Sequence, residues 1–253
     1  DMPTNAAGSY GDNVFMRMMM AKIYCVQLIS TLGYDLLFQD VDVVWYKNPL
    51  DYFHNDKALD TNFDIYFQDD GNHNLYYAPY SANTGFYYVR ANDRTRYLFS
   101  SLLMAGDLVR QTKSHQVPLV ALLQEHASMF GLKIKIFSRD EDDFPGGHAY
   151  HRRRDFMKNM IQGNVQPQIF HMSWTHSKID KVKFYQQMGE WFLQDTCRVK
   201  KPNEIFRHTN ETVPVFSLCC AAEPNIVCHY RDKPSKVPCK ESPPIDRGAR
   251  SFW

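Results

Sequence analysis

Residues 36–45, LLFQDVDVVW, decide how this chain is read. Leu36, Leu37 and Phe38 form one apolar shoulder and Val43, Val44 and Trp45 the other, with Asp40 and Asp42 between them. On an extended chain, residues i and i+2 point to the same side and lie about 6.6 Å apart. Two carboxylates sharing one face of an apolar strand repel each other, so one must protonate unless a cation stands between them. A hard divalent ion such as Mn²⁺ or Mg²⁺ suits carboxylate oxygens and removes the conflict. The alternative is that the strand ends at Gln39 and both side chains face water in a turn. Apolar residues on both sides of the pair favour the cation.

Working outward, apolar residues at Phe15, Met18, Ile23, Leu28 and Leu32 predict an amphipathic helix over 13–32, closed by Gly33. Beyond the acidic pair come a turn at Asn48-Pro49, a strand over 63–67, and a strand over 86–89 introduced by Asn83-Thr84-Gly85. Helices are expected over 94–110 and 117–130, the second with Pro118 in its first turn and Gly131 past its end. Strands over 133–137 and 168–170 flank a loop holding Asp140 to Asp143, and a helix over 179–194 ends the regular part. Alternating helices and strands give an α/β layer architecture.

The length of 253 residues and 44% hydrophobic content suffice for one large domain, or a domain with an appendage. A formal net charge of +1 offers no electrostatic footprint for nucleic acid, and Arg152-Arg153-Arg154 reads as a solvated turn. No apolar run reaches 18 residues, and the start DMPTNAAG is not a signal peptide, so any membrane attachment is expected through a segment not in this chain. Cys197, Cys219, Cys220, Cys228 and Cys239 crowd a Pro-rich stretch, while Cys25 stands apart. Such crowding suits disulfides and an oxidising lumen, as does the sequon Asn210-Glu211-Thr212. The short CxxC pairs of zinc knuckles are missing. The expected division is 1–195 for the main domain and 196–253 for a Cys/Pro-rich tail.

A metal held by two carboxylates needs a third ligand, and His171, just after an apolar strand in IFHMSWTHSK, is the leading candidate. A lone His at a strand end is also an ordinary structural feature. His176 and Lys178 follow it and offer cationic groups to a phosphate.

The run GYDLLFQDVDVVWYKNPLDYF, residues 33–53, resembles the signature of the nucleotide-diphospho-sugar transferases that include plant and algal Golgi arabinosyl- and xylosyltransferases. The preceding helix and the following NTGF strand stand in the same order, and the resemblance extends over about 14–191. It implies a GT-A-like (Rossmann-like) mixed sheet flanked by helices, a UDP-sugar donor, a divalent ion (Mn²⁺ or Mg²⁺), and transfer with retention to a glycan or glycoprotein acceptor. It also implies a Golgi lumenal or other secretory-pathway enzyme from a type II membrane protein.

Position by position, Asp40 is similar to the Asp that meets the donor and the metal, Asp42 to the direct metal ligand, and His171 to the late His completing the site. Lys178 resembles the Lys that neutralises the diphosphate, although it stands seven residues after the His instead of six. Asn83 and Gly85 resemble the segment lining the sugar side, where Gly permits close approach; a plain strand-entry turn fits equally well. Asp69 and Asp70 are candidates to bind sugar hydroxyls, or simply a DDG turn. Gln116 matches a Gln at the reacting sugar face, but His115 replaces the Asp usual before it, and Ser114 and His115 also suit a helix cap. The strand-helix-strand portion that cradles the nucleoside in such enzymes is not found upstream of the acidic pair. A catalytically weak or inactive sugar- or nucleotide-binding domain, and a metal-dependent phosphoesterase, are the alternative functions.

Overall fold

The computed structural model describes residues 7–8, 10–54, 62–175, 177–194, 197 and 219–245. The sequon at Asn210 and His176 lie outside these residues. The described residues form two compact units, one of 1–152 with 166–176 and the other of 153–165 with 177–253. The position expected for a domain boundary, 195–196, is not among the described residues.

In the first unit, helix α1 (Asn13–Thr31) starts where the Asp12 carboxylate accepts the Phe15 amide at 2.7 Å, which satisfies one orphan donor of the first turn. It buries Met19, Ile23, Val26 and Ser30 along one face. Strands β1 (Leu36–Gln39) and β2 (Val43–Trp45) follow, then helix α2 (Pro49–Phe53), capped by Asn48, and strand β3 (Ile65–Asp69). Next come β4 (Ala82–Val89), helices α3 (Asp93–Met104), α4 (Gly106–Thr112) and α5 (Gln116–Phe130), strand β5 (Ile134–Phe137) and helix α6 (Gly147–Arg152). Helix α7 (Arg154–Ile161) belongs to the second unit, strand β6 (Ile169–His171) to the first, and helix α8 (Lys178–Met188) to the second.

Four strands form a mixed sheet in the order β1-β4-β3-β5, with β3 and β5 parallel and the other pairs antiparallel. Strand β4 is buried at all eight positions because both of its faces are covered. Tyr87 and Val89 face a cluster with Met19, Ile23, Leu98, Leu102 and Leu123 from the helices. Phe86 and Tyr88 face an aromatic cluster with Phe53, Tyr66, Phe137 and Phe144. The period of two along β4 thus divides the core between the two faces of the sheet, and the result is the mixed α/β layer class expected from the sequence.

Three local expectations change. The run 36–45 is not one strand: β1 pairs with β4, whereas β2 pairs with β6 in a separate two-stranded sheet. The helix expected over 94–110 breaks at Ala105 into α3 and α4. Asn83, Thr84 and Gly85 lie inside β4 and do not form a turn before it.

The second unit gathers around Gln187, which is fully buried in α8. Its amide nitrogen donates to the carbonyls of Tyr230 at 2.8 Å and Lys233 at 3.1 Å, and its oxygen accepts from the backbone amides of His229 and Tyr230. Disulfides join Cys197 to Cys219 and Cys228 to Cys239, while Cys220 and Cys25 remain thiols. Two short helices, α7 and α8, and a loop-rich segment offer a small core, and covalent links add to it.

Candidate functional site

The acidic pair sits where the chain changes sheets. The Asp40 amide donates to the Gly85 carbonyl at 2.7 Å, which extends the β1–β4 pairing by one residue. Two residues later the Asp42 carbonyl accepts from the Met172 amide at 3.0 Å, which starts the β2–β6 pairing. Asp40, Val41 and Asp42 therefore form a turn, and Val41 is fully exposed. The shared-face argument for a continuous strand does not apply. Convergence is achieved by different means, because both carboxylates are drawn toward His171, the last residue of β6.

Asp40, Asp42 and His171 each present a ligand atom, and these atoms all lie within 4.8 Å of one another. His171 is buried, with Nε2 3.5 Å from Asp42 Oδ1. Its orientation follows from its neighbour. The Gln68 amide nitrogen donates to the carbonyls of Phe144 at 3.0 Å and Pro145 at 3.1 Å, so the Gln68 oxygen is the atom that faces His171 Nδ1 at 2.7 Å. That oxygen can only accept, so Nδ1 carries a proton, and Nε2 is the ring nitrogen that faces the carboxylates and can serve as a ligand. Two carboxylates and an imidazole that presents Nε2 fit a small divalent ion with bonds of about 2.0–2.2 Å.

Gly85 forms the floor. A Cβ there would meet His171 Cε1 at 2.5 Å and Asp40 Oδ2 at 2.9 Å, so any side chain would displace the cluster. From α1, Lys22 Nζ donates to Asp40 Oδ1 at 2.5 Å. The sequence reading missed Lys22, although it falls on the Met19–Ile23–Val26 stripe of α1, where a lysine is out of place. It missed Gln68 as well, a polar residue in the buried run IYFQD.

Next to this cluster lies a network of amides. Asn83 Nδ2 and Gln116 Nε2 both donate to Asp70 Oδ1, at 2.9 and 3.0 Å, and the Gln116 oxygen accepts from the Thr84 amide and hydroxyl. Burial pushes the Asp70 carboxyl above its ordinary range despite these two donors. The indole of Trp174 donates to the Asp70 carbonyl at 2.6 Å, with Trp174 at φ 63°. Asp69 turns away from Asp70. It accepts from the Gly71 amide and from His73 Nε2, both at 2.7 Å. Gly71, at φ 89°, makes the DDG turn that the sequence suggested.

His115 is buried against α1, with Nδ1 3.0 Å from Met19 Sδ. Burial, with the Lys22 charge second, pulls its pKa down to about 3, so this ring is neutral. It makes no side-chain cap on α5, whereas Ser114 Oγ accepts the Gln116 amide at 3.2 Å. The structure brings together Asp40, Asp42, His171, Asn83, Gly85, Asp70 and Gln116, with Asp69 at the edge. Lys178 opens α8 in the second unit.

The α/β layer thus carries, where its strands end, a carboxylate–imidazole cluster that could hold a cation, next to a network of hydrogen-bonding amides. The profile of the nucleotide-diphospho-sugar transferases matches residues 2–185, and the chain belongs to that family. It is similar to a UDP-galactose:fucoside alpha-3-galactosyltransferase of Dictyostelium discoideum, at 24% identity over 75% of this chain and 30% of that protein. It is also similar to UDP-D-xylose:L-fucose alpha-1,3-D-xylosyltransferase 3 of Arabidopsis thaliana, at 23% identity over 82% of this chain and 56% of that protein. The chain thus spans about a third to a half of the length of these relatives. A solved glycosyltransferase involved in the glycosylation of the major capsid of PBCV-1 aligns over 72% of this chain and 78% of its own, with a TM-score of 0.42 and 10% identity.

Proposed function

We propose that this chain carries the GT-A-type catalytic domain of a retaining, divalent-metal-dependent glycosyltransferase that moves a sugar from a UDP-sugar to a fucose-bearing glycan or glycoprotein. The observation that carries this reading is the cluster of Asp40, Asp42 and His171, with His171 Nε2 turned toward the carboxylates by Gln68. Family membership supports a nucleotide-sugar donor. Both relatives are named for UDP-sugar donors, fucose acceptors and α products. UDP-galactose and UDP-xylose hold their sugars in α linkage, so an α product means retention.

Asp40, Asp42 and His171 would hold the metal, Mn²⁺ or Mg²⁺, with Mn²⁺ favoured by the imidazole ligand. When bound, the ion supplies positive charge for the diphosphate that leaves the sugar. Lys22 balances Asp40 and positions its second oxygen. Gln68 holds the imidazole, and Gly85 leaves room for ligands above it. Asn83 and Gln116 hold the Asp70 carboxyl along the surface where the sugar would lie.

The two disulfides support an oxidising compartment, for which we propose the Golgi lumen. None of the described helices is long and apolar enough to cross a membrane. We assign 1–195 to the transferase domain and 196–253 to its tail. The test is a panel of UDP-sugars with Mn²⁺, following UDP release. Release that needs Mn²⁺ and disappears in Asp42→Ala supports the transferase. Mn²⁺ and UDP binding without release from any donor leaves a binding domain, and phosphate release from simple esters leaves a phosphoesterase.

A further inference from the structure

Asp70 is held at both its backbone and its side chain, yet one of its oxygens is left open. Its amide donates to the Ser81 carbonyl at 2.8 Å, and its carbonyl accepts the Trp174 indole at 2.6 Å. The next carbonyl, of Gly71, accepts from Arg139 Nη1 at 2.5 Å. On the side chain, Oδ1 takes both amide donors, Asn83 Nδ2 and Gln116 Nε2, which fixes the plane of the carboxyl group. Oδ2 has no hydrogen-bond partner among the described residues and is not one of their buried, unpartnered polar atoms, so it opens to solvent.

This carboxyl lies one amide away from the cation site. The position that a Cβ would take on Gly85 is 2.9 Å from Asp40 Oδ2 and 3.0 Å from Asn83 Oδ1, and the nitrogen of the same Asn83 amide donates to Asp70. The neighbouring carboxylates are committed elsewhere. Asp40 and Asp42 face the cation site with His171, and Asp69 accepts from Gly71 and His73. Trp174 reaches the Asp70 carbonyl from a left-handed backbone at φ 63°, a conformation that non-glycine residues hold at a cost and that gathers at functional sites. A carboxyl fixed to this degree, with one oxygen open, is preorganised to meet a reacting atom.

We propose that Asp70 is the catalytic nucleophile and that its Oδ2 attacks the anomeric carbon of the donor on the face opposite the diphosphate. The assignment rests on the retaining-transferase reading above and deepens it. The bond from C1 to Oδ2 forms as the bond from C1 to the diphosphate oxygen breaks, and the electron pair of the broken bond leaves with UDP. The result is a β-linked glycosyl ester of Asp70. The acceptor hydroxyl then attacks C1, its proton passes to water, and the electron pair of the ester bond returns to Asp70 as a carboxylate. Two inversions give the α product.

The test incubates the wild type with Mn²⁺ and the UDP-sugar it turns over, without acceptor, and reads the intact protein mass. A gain of one glycosyl residue, mapped by fragmentation to the peptide that contains Asp70, is expected. Asp70→Asn, which keeps both amide contacts and hence the fold, should lower the rate of UDP release about a thousandfold or more. Asp70→Ala with sodium azide should recover UDP release and yield the β-glycosyl azide, read by NMR, because azide enters where the carboxylate stood. An adduct on Asp70 or a β-azide product supports the assignment. Neither of them, or a wild-type rate in Asp70→Asn, overturns it while UDP release by the wild type leaves the transferase reading intact. No UDP release by the wild type from any donor overturns the transferase reading, and the nucleophile with it.

Discussion

Strand β3 has a shielded carboxylate at each end, and the fold treats the two differently. Before its first residue, Asp64 is buried and accepts from Arg94 Nε at 2.7 Å and Nη2 at 2.6 Å, from Asn92 Nδ2 at 2.9 Å and from the Lys133 amide at 2.9 Å. Burial works against its ionisation, but the Arg94 hydrogen bonds and charge prevail, and its pKa falls below the ordinary carboxylate value. After its last residue, Asp70 receives only amide donors on its side chain, and burial carries its pKa upward. One end is neutralised within the fold and serves as structure. At the other end, beside Asp40, Asp42 and His171, the Asp70 carboxyl is held by neutral amides, and carboxyls with shifted pKa values gather at functional sites.

The largest effect that would break this contrast is expected at His171. Changing His171→Ala removes a ligand, and Mn²⁺ affinity by calorimetry should fall by more than the roughly 10–100-fold typical of losing an outer partner. The outer partner is Gln68. Gln68→Met should lower Mn²⁺ affinity about 10–100-fold and, by stranding the Phe144 and Pro145 carbonyls, destabilise the fold by about 1–3 kcal/mol in urea unfolding. Equal Mn²⁺ affinity in that variant would remove Gln68 from the site.

The two ends of β3 are compared directly by Asp64→Asn and Asp70→Asn. The first should cost about 2 kcal/mol of stability at pH 7, because it breaks charge-assisted bonds to Arg94. The second should cost little, because an Asn oxygen still accepts from Asn83 and Gln116. Their pH dependences run in opposite directions. The lowered pKa of Asp64 contributes stability that is present above its unfolded pKa, near 3.8, and lost as pH falls through the folded value. The raised pKa of Asp70 contributes stability that is present below its unfolded pKa and lost as pH rises through the folded value.

A further pH effect concerns His115. Its folded pKa of about 3 lies below the ordinary 6.5, so the unfolded chain binds the extra proton between those values and stability declines as pH falls through that window. Between pH 6.5 and 5 this amounts to about 2 kcal/mol at most. The difference should vanish in His115→Leu when urea unfolding is followed at both pH values.

Much of the site was legible because its residue types conflict with their surroundings: Asp40 and Asp42 between apolar shoulders, and His171 at the end of an apolar strand. The path of the chain between the two carboxylates was not legible. An extended strand and a crossing from one sheet to another carry the same apolar–acid–apolar pattern. The choice is made by backbone partners, Gly85 and Met172, that are distant in sequence. Gln68 and Lys22 each stand out in an apolar setting, but the partners that give them a role, His171 and Asp40, are distant in sequence. The helix break at Ala105 has no Gly or Pro at that position to mark it, though Gly106 follows and opens α4.

The central claim is that Asp40, Asp42 and His171 hold a divalent ion that serves a UDP-sugar. It is tested most directly by following UDP release from UDP-galactose and UDP-xylose across a Mn²⁺ titration, in the wild type and in Asp42→Ala with matched folding by circular dichroism. The account predicts release that saturates with Mn²⁺, is abolished by chelation, and is lost in the variant. Release unaffected by chelation, or equal in the Asp42→Ala protein, would contradict it.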